Sequence, residues 1–194
     1  MTTVRNIAAG VRSMTSNAFL VDGERTVLVD AGDGFDAVGR IEEATGGLDA
    51  VVLTHTHPDH VGNVESVIDA FDVDVWGFDL DHALVDHEID DGDHLRIGDA
   101  DYEALHTPGH KDDHVCLYAR GAGVLFAGDL VFANGGFGRT DLAEGDRETL
   151  VNSIARLLEA VDESLDAMYV GHGPAVETNP RYQVELAAQA ARMG

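Results

Sequence analysis

The sequence predicts an α/β fold of two sheets packed face to face with helices over both outer faces, a four-layer αββα sandwich formed as one domain over residues 1–194. Three observations lead there. Each half of the chain supplies strands followed by helices, and this layering lets both kinds of element bury an apolar face. At 194 residues the chain is long enough for one well-cored domain and short for two. No low-complexity linker and no short-period repeat divides it.

The elements follow in order. NAFLVDGERTVLVDAG reads as two strands joined at Asp22-Gly23, a hairpin signal. Phe35, Val38 and Ile41 recur at helical spacing, and an apolar strand covers 50–53. Val61, Val64, Ile68 and Phe71 step by three, four and three, the pattern of an amphipathic helix. A short strand at 73–76 and a weak helix at 79–87 come next. The second half leans on strands in HLRIG, DYEALHT, HVCLYAR and GVLFAG, then on a helix over 146–161 with Leu150, Ile154, Leu157, Leu158 and Val161 on one face. DAMYVGH is a strand. The last helix starts with Asn179 as N-cap and Pro180 in its first turn, where the missing N–H costs nothing.

Charge narrows the function classes. Twelve basic residues face thirty-six acidic ones, a formal net charge of -24, and Lys111 is the only lysine. The acids are spread among regular apolar positions, which excludes a disordered acidic tail. A docking surface for a basic partner would be local. A protein built for molar salt fits best, because there repulsion between carboxylates is screened within about 3 Å at 1 M and a carboxylate shell keeps the protein in solution. The expectation is a halophile origin. A phosphate backbone would be repelled, so nucleic acid is excluded as a partner. The first residues hold no apolar run of signal-peptide length, and no stretch approaches the ~18 apolar residues of a membrane span. With Cys116 the single cysteine, no disulfide forms within the chain, and its alternating strand context makes it a small buried apolar residue. The expected location is the cytoplasm, with no membrane partner.

The chemistry gathers at strand ends, where binding groups collect in loops. LTHTHPDHVGN crowds His55, His57, Asp59 and His60 behind the strand 50–53. His110 follows the next half's strand in HTPGH, Asp129 ends FAGD, and His172 stands in VGHG. The glycines beside them, Gly109, Gly128, Gly171 and Gly173, permit close backbone approach and unusual φ.

LVDAG at 28–32, THTHPDH at 54–60, TPGH at 107–110, GD at 128–129 and GHG at 171–173, in that order, resemble the metallo-β-lactamase superfamily of metal hydrolases. The resemblance implies the metallo-β-lactamase fold and two divalent metal ions, zinc first, with iron or manganese as alternatives. Carried over position by position, His55, His57 and His110 would bind one ion, Asp59, His60 and His172 the other, and Asp129 would bridge. Extended backbone points residues 55 and 57 the same way, so they can share an ion. Asp30 reads as a residue orienting a metal-bound histidine. His82, His87 and His94 read as solvated, and His106 and His114 as outside the site.

The segment FAGDLVFANGGFGRTDLAEGD at 126–146 resembles the short type II glyoxalases, hydroxyacyl-thioester hydrolases. That likeness implies hydrolysis of a small anionic thioester by a metal-bridging hydroxide, with Asp59 orienting or deprotonating the water. The chain ends after one helix where longer members add a substrate-gripping region, and Lys111 follows the TPGH turn where the family often has threonine. Lys111 could meet a substrate carboxylate, but a solvated loop charge is the expectation. Arg139, with Asp141, is expected as a buried ion pair that stabilises the loop rather than as a catalytic group. The GRTD segment is also similar to persulfide dioxygenases, in which His55, His110 and Asp129 would hold a single iron as a facial triad; Phe137 stands where that family commonly has cysteine. A lactone or other ester hydrolase of the same fold and a non-catalytic metal-binding protein complete the alternatives. The oligomeric state is not readable.

Overall fold

The apolar runs of the first half pair into a six-stranded sheet. Its order is sequential: β1 (Thr3–Asn6), β2 (Phe19–Asp22), β3 (Val27–Val29), β4 (Ala50–Val52), β5 (Val75–Gly77) and β6 (His87–Glu88). β1, β2 and β3 run antiparallel, and β3 to β6 run parallel. In the computed structural model, which describes residues 3–193, the chain forms two compact units. One ends at Ile89 and takes in Leu95–Asp101; the other is made of Asp90–His94 and the chain from Tyr102 on.

Parallel neighbours need crossovers, and helices supply those from β3 to β4 and from β4 to β5. α1 (Ala37–Ala44) links β3 to β4, and α2 (Pro58–Val61) with α3 (Val64–Phe71) links β4 to β5. Asp36 caps α1 by accepting the Gly39 N–H at 2.9 Å, worth about 1 kcal/mol. Ala37 and Ile41 of α1 and Val64 and Val67 of α3 pack with Leu20, Leu28, Val51 and Val75 of the sheet. Every residue of β4 is buried, as a continuous apolar run in a parallel sheet should be.

Three details depart from the sequence expectations. β1 was not foreseen. The helix stepping from Val61 to Phe71 is broken at Gly62-Asn63 because the His60 carbonyl is taken by the N–H groups of Ala31 and Gly32, at 2.8 and 3.1 Å. The weak helix expected at 79–87 is a series of turns ending in β6. There the Asp79 carboxylate captures the Asp81 N–H at 3.1 Å, a local bond that competes with helix formation.

A five-stranded sheet runs in the order β11-β10-β9-β8-β7, comprising β7 (His94–Ile97), β8 (Ala100–His106), β9 (Val115–Ala119), β10 (Val124–Gly128) and β11 (Ala167–Val170). β8, β9 and β10 are antiparallel, and β11 lies parallel to β10. α4 (Arg147–Ala160) and α5 (Pro180–Met193) complete the second unit. Asp146 caps α4 through the Thr149 N–H at 2.7 Å. Leu150, Ile154 and Leu157 of α4 and Val184, Ala187 and Ala191 of α5 share one core with Cys116, Leu125 and Met168. Cys116 is fully buried, as expected, and burial pushes its thiol up to about 12. Asn179 precedes α5 with φ 48°, a left-handed backbone rather than the extended geometry usual for a side-chain cap. Among the described residues, no helix is long and apolar enough to cross a membrane.

Candidate metal centre

In the first unit the loop after β4 brings His55, His57 and His60 together. The His55 and His60 ring centroids are 4.0 Å apart and those of His55 and His57 4.8 Å. Asp30 organises this group from the end of β3. Its carboxylate accepts the Thr54 N–H at 2.8 Å, the Thr54 hydroxyl at 2.7 Å and the His60 Nδ1–H at 2.9 Å. Asp30 itself is buried and held at φ 55°, a left-handed conformation that aspartate tolerates better than most residues.

These bonds decide tautomers. With Nδ1–H committed to Asp30, His60 carries its lone pair on Nε2. Because the Thr54 hydroxyl gives its hydrogen to Asp30, its oxygen is left to accept from His55 Nδ1 at 3.1 Å. The His55 lone pair is therefore on Nε2, which faces His57 Nδ1 across 3.1 Å. Two imidazole nitrogens bound tetrahedrally to one zinc-sized ion would lie about 3.3 Å apart. Asp59 stands in the first turn of α2, half-buried, with its carbonyl accepting the Ser16 N–H at 3.1 Å.

In the second unit Asp129 follows β10, and its Oδ2 lies 3.4 Å from His110 Nε2 and 3.3 Å from His172 Nε2. One carboxylate oxygen thus faces two histidine nitrogens, each at about the edge length of a metal tetrahedron. The His110 Nδ1–H donates to the Arg139 carbonyl at 2.8 Å, which puts the ring's lone pair on Nε2, the nitrogen facing Asp129. The loops meet backbone to backbone through the Gly171 N–H and the Gly128 carbonyl at 2.8 Å. Gly138 fits against the Asp129 carbonyl and the His110 side chain, where any Cβ would collide with both. Gly109, at φ 124°, packs against the start of α4 with the same intolerance.

Two sequence expectations for nearby charges are corrected. Lys111 is no solvated loop charge: it is 7% exposed and lies 3.1 Å from Asp112, 3.5 Å from Asp113 and 3.4 Å from Glu144. Burial works to lower its pKa, but the carboxylates of Asp113, Asp112 and Glu144 outweigh it and hold the ammonium above its ordinary value. Arg139 and Asp141 do form a two-bonded pair, both bonds at 2.7 Å. The pair is exposed rather than buried, with side-chain exposures of 62% and 68%. What Arg139 gives the site is its carbonyl. Among the remaining histidines, His94 is exposed and His87 is stacked on Trp76 at 4.5 Å while bonded to Asp74 at 3.0 Å. His114 is fully buried and accepts the Asp129 N–H at 3.0 Å. Sequence reasoning set it aside, since only the pairing of β9 with β10 brings it to Asp129.

Imidazole nitrogens with carboxylate oxygens form a donor set suited to zinc and to iron. The Asp30–His60 pair and the carbonyl behind His110 are the outer contacts that metal-ligating histidines require. The donor chemistry therefore fits divalent metal.

Residues 12–172 match the model of the metallo-beta-lactamase superfamily, and the chain belongs to that family. It is 35% identical over 151 residues to the hydroxyacylglutathione hydrolase of Chromohalobacter salexigens; the match takes in 77% of this chain but only 57% of that protein. It is 30% identical over 188 residues to the hydroxyacylglutathione hydrolase GloC of Haemophilus influenzae, covering 84% of this chain and 88% of the relative. Among solved structures, TTHA1623 in a di-iron-bound form superposes with a TM-score of 0.73 at 29% identity, over 98% of this chain and 96% of that one.

Proposed function

We propose that this chain is a binuclear metallohydrolase that cleaves a hydroxyacyl thioester. In this reading His55, His57 and His110 would hold one divalent ion, Asp59, His60 and His172 would hold the second, and Asp129 would be shared by both. Zinc is the first choice of metal, with iron or manganese as alternatives. The observation that carries the reading is Asp129, whose Oδ2 faces His110 and His172 at 3.4 and 3.3 Å. A carboxylate serving one ion has no need of a second histidine on the same oxygen. The likeness to two hydroxyacylglutathione hydrolases supplies the substrate class.

Bound divalent ions would lower the pKa of a water to near neutrality and polarise the thioester carbonyl. The chain's own groups do the rest. Asp30 and Thr54 keep His55 and His60 in their ligating tautomers, so neither ring must reorganise. The Asp59 carboxylate, at the start of α2, orients the attacking water and takes its proton. A thiol, with an ordinary pKa of about 8.5 as in cysteine, leaves as thiolate without a dedicated acid. Two dications against two carboxylates leave about +2 at the centre, which draws an anionic thioester into an otherwise acidic protein. Lys111, enclosed by three carboxylates, has no part in substrate binding. The net charge and the single lysine support work in molar salt.

The dioxygenase alternative would use one iron on His55, His110 and Asp129. Phe137, where that family commonly has cysteine, lies under the Arg147 guanidinium at 4.3 Å, and it is this residue that weighs against the dioxygenase. The test is thiol release from a lactoyl thioester of glutathione by metal-loaded protein in high salt, with oxygen uptake on a persulfide in parallel. Thiol release that ceases on chelation is expected. Oxygen uptake with no thiol release would replace the hydrolase by the dioxygenase.

A further inference from the structure

The end of β10 raises a bonding problem that one buried histidine solves. The pairing of β10 with β11 shifts register between Phe126 and Gly128, so the Asp129 amide leaves the sheet ladder while its residue stays buried. A buried N–H needs an acceptor. His114, one residue before β9, provides it through Nε2 at 3.0 Å. An amide nitrogen can only donate, so this Nε2 carries no hydrogen and the neutral ring bears it on Nδ1. That Nδ1 is 2.9 Å from the Thr107 hydroxyl oxygen. The hydroxyl in turn directs its own hydrogen toward the Leu105 carbonyl at 3.3 Å or the Cys116 sulfur at 3.4 Å. The Thr107 N–H also donates to the His114 carbonyl at 2.8 Å, tying the two residues a second time.

Thr107 begins the turn that carries His110. The chain Thr107–His114–Asp129 therefore joins the turn of one ligand to the backbone of another. Thr107 and His114 are fully buried, as are the apolar Val115 and Cys116 beside the ring. We infer that His114 is a positioning residue that sets where the Asp129 carboxylate stands, by accepting the Asp129 backbone N–H. The inference rests on the reading of Asp129 as a metal ligand. Outer-shell partners of metal ligands typically change affinity by about 10–100-fold when removed.

The experiment uses the full chain loaded with cobalt, a spectroscopic stand-in for zinc, and follows its release to a competing chelator for wild type, His114→Gln, His114→Leu and Thr107→Val. Glutamine places an oxygen acceptor near the Nε2 position, whereas leucine keeps bulk and removes the acceptor. The expected result is cobalt affinity weakened about tenfold or more in His114→Leu with an altered visible spectrum, while His114→Gln stays near wild type in both. Should His114→Leu fail to fold, Thr107→Val decides, because it keeps the ring and removes only the partner of Nδ1. Weaker cobalt binding in that variant is then the expected result. A folded His114→Leu, or in its place Thr107→Val, with wild-type affinity and spectrum would overturn the inference, as would a His114→Gln as weak as the leucine variant. Wild type binding no cobalt would overturn the metal-centre reading and the inference with it, a failure recognisable because it appears before any substitution.

Discussion

The Asp30 carboxylate accepts two bonds from Thr54 and one from His60, and through Thr54 it fixes the tautomer of His55. Asp30→Ala should strand those buried donors at about 1–3 kcal/mol each and weaken metal binding about 10–100-fold; denaturant unfolding and chelator competition measure the two effects separately. Asp30→Gly should be the more stable of the two variants, since only glycine takes φ 55° without penalty. At Arg139 the functional atom is the backbone oxygen, so Arg139→Ala should leave turnover within about threefold of wild type, the range expected for an exposed charge away from the chemistry. Gly138→Ala should abolish activity, because the new methyl would collide with Asp129 and His110. The candidate ligand residues could be named from the sequence, since their types and spacing are local. Their supports could not: His114 looks in the sequence like any histidine in a strand, and a carbonyl such as that of Arg139 has no signature at all.

The segment 139–146 is fastened to the His110 turn at three points: the Arg139 carbonyl on His110, Lys111 on Glu144, and the Asp146 N–H on the Gly109 carbonyl at 2.8 Å. Lys111→Met would take away the ammonium 3.5 Å from the buried Asp113 carboxylate, at a cost of about 3–5 kcal/mol. It should also change the pH response. The folded Lys111 ammonium is held above its ordinary 10.5. Its stabilisation is therefore complete below pH 10.5 and fades as pH rises through the folded value. Thermal unfolding of wild type should lose stability there, and Lys111→Met should lack that part of the slope. The elements that were legible carry their signal in their own residues, such as the unbroken apolar β4 and the one-faced α4. The ones misread depend on bonds that an apolar pattern does not show. α2 and α3 separate because residues 31 and 32 claim a carbonyl, and the weak helix expected at 79–87 is diverted into turns where the Asp79 carboxylate takes the Asp81 N–H.

Over the whole molecule, thirty-six acidic residues against twelve basic ones add charge repulsion to the conformational entropy that opposes the folded state. Raising salt from about 0.1 M to 1 M shortens the screening length from about 10 Å to about 3 Å, so the melting temperature should rise steeply with sodium chloride. A flat response would mean that the carboxylates are already neutralised by specific pairing. The two sheets and the α/β class were legible from the order of strands and helices. The five-stranded sheet's parallel edge at β11 was not, since strand order depends on long-range pairing that a local pattern does not carry. The most direct measurement is the number of ions bound per chain after loading with zinc and removal of excess, read by elemental analysis on the folded protein in high salt. Two ions per chain are predicted; a single ion that saturates the protein, or none, would contradict the binuclear centre.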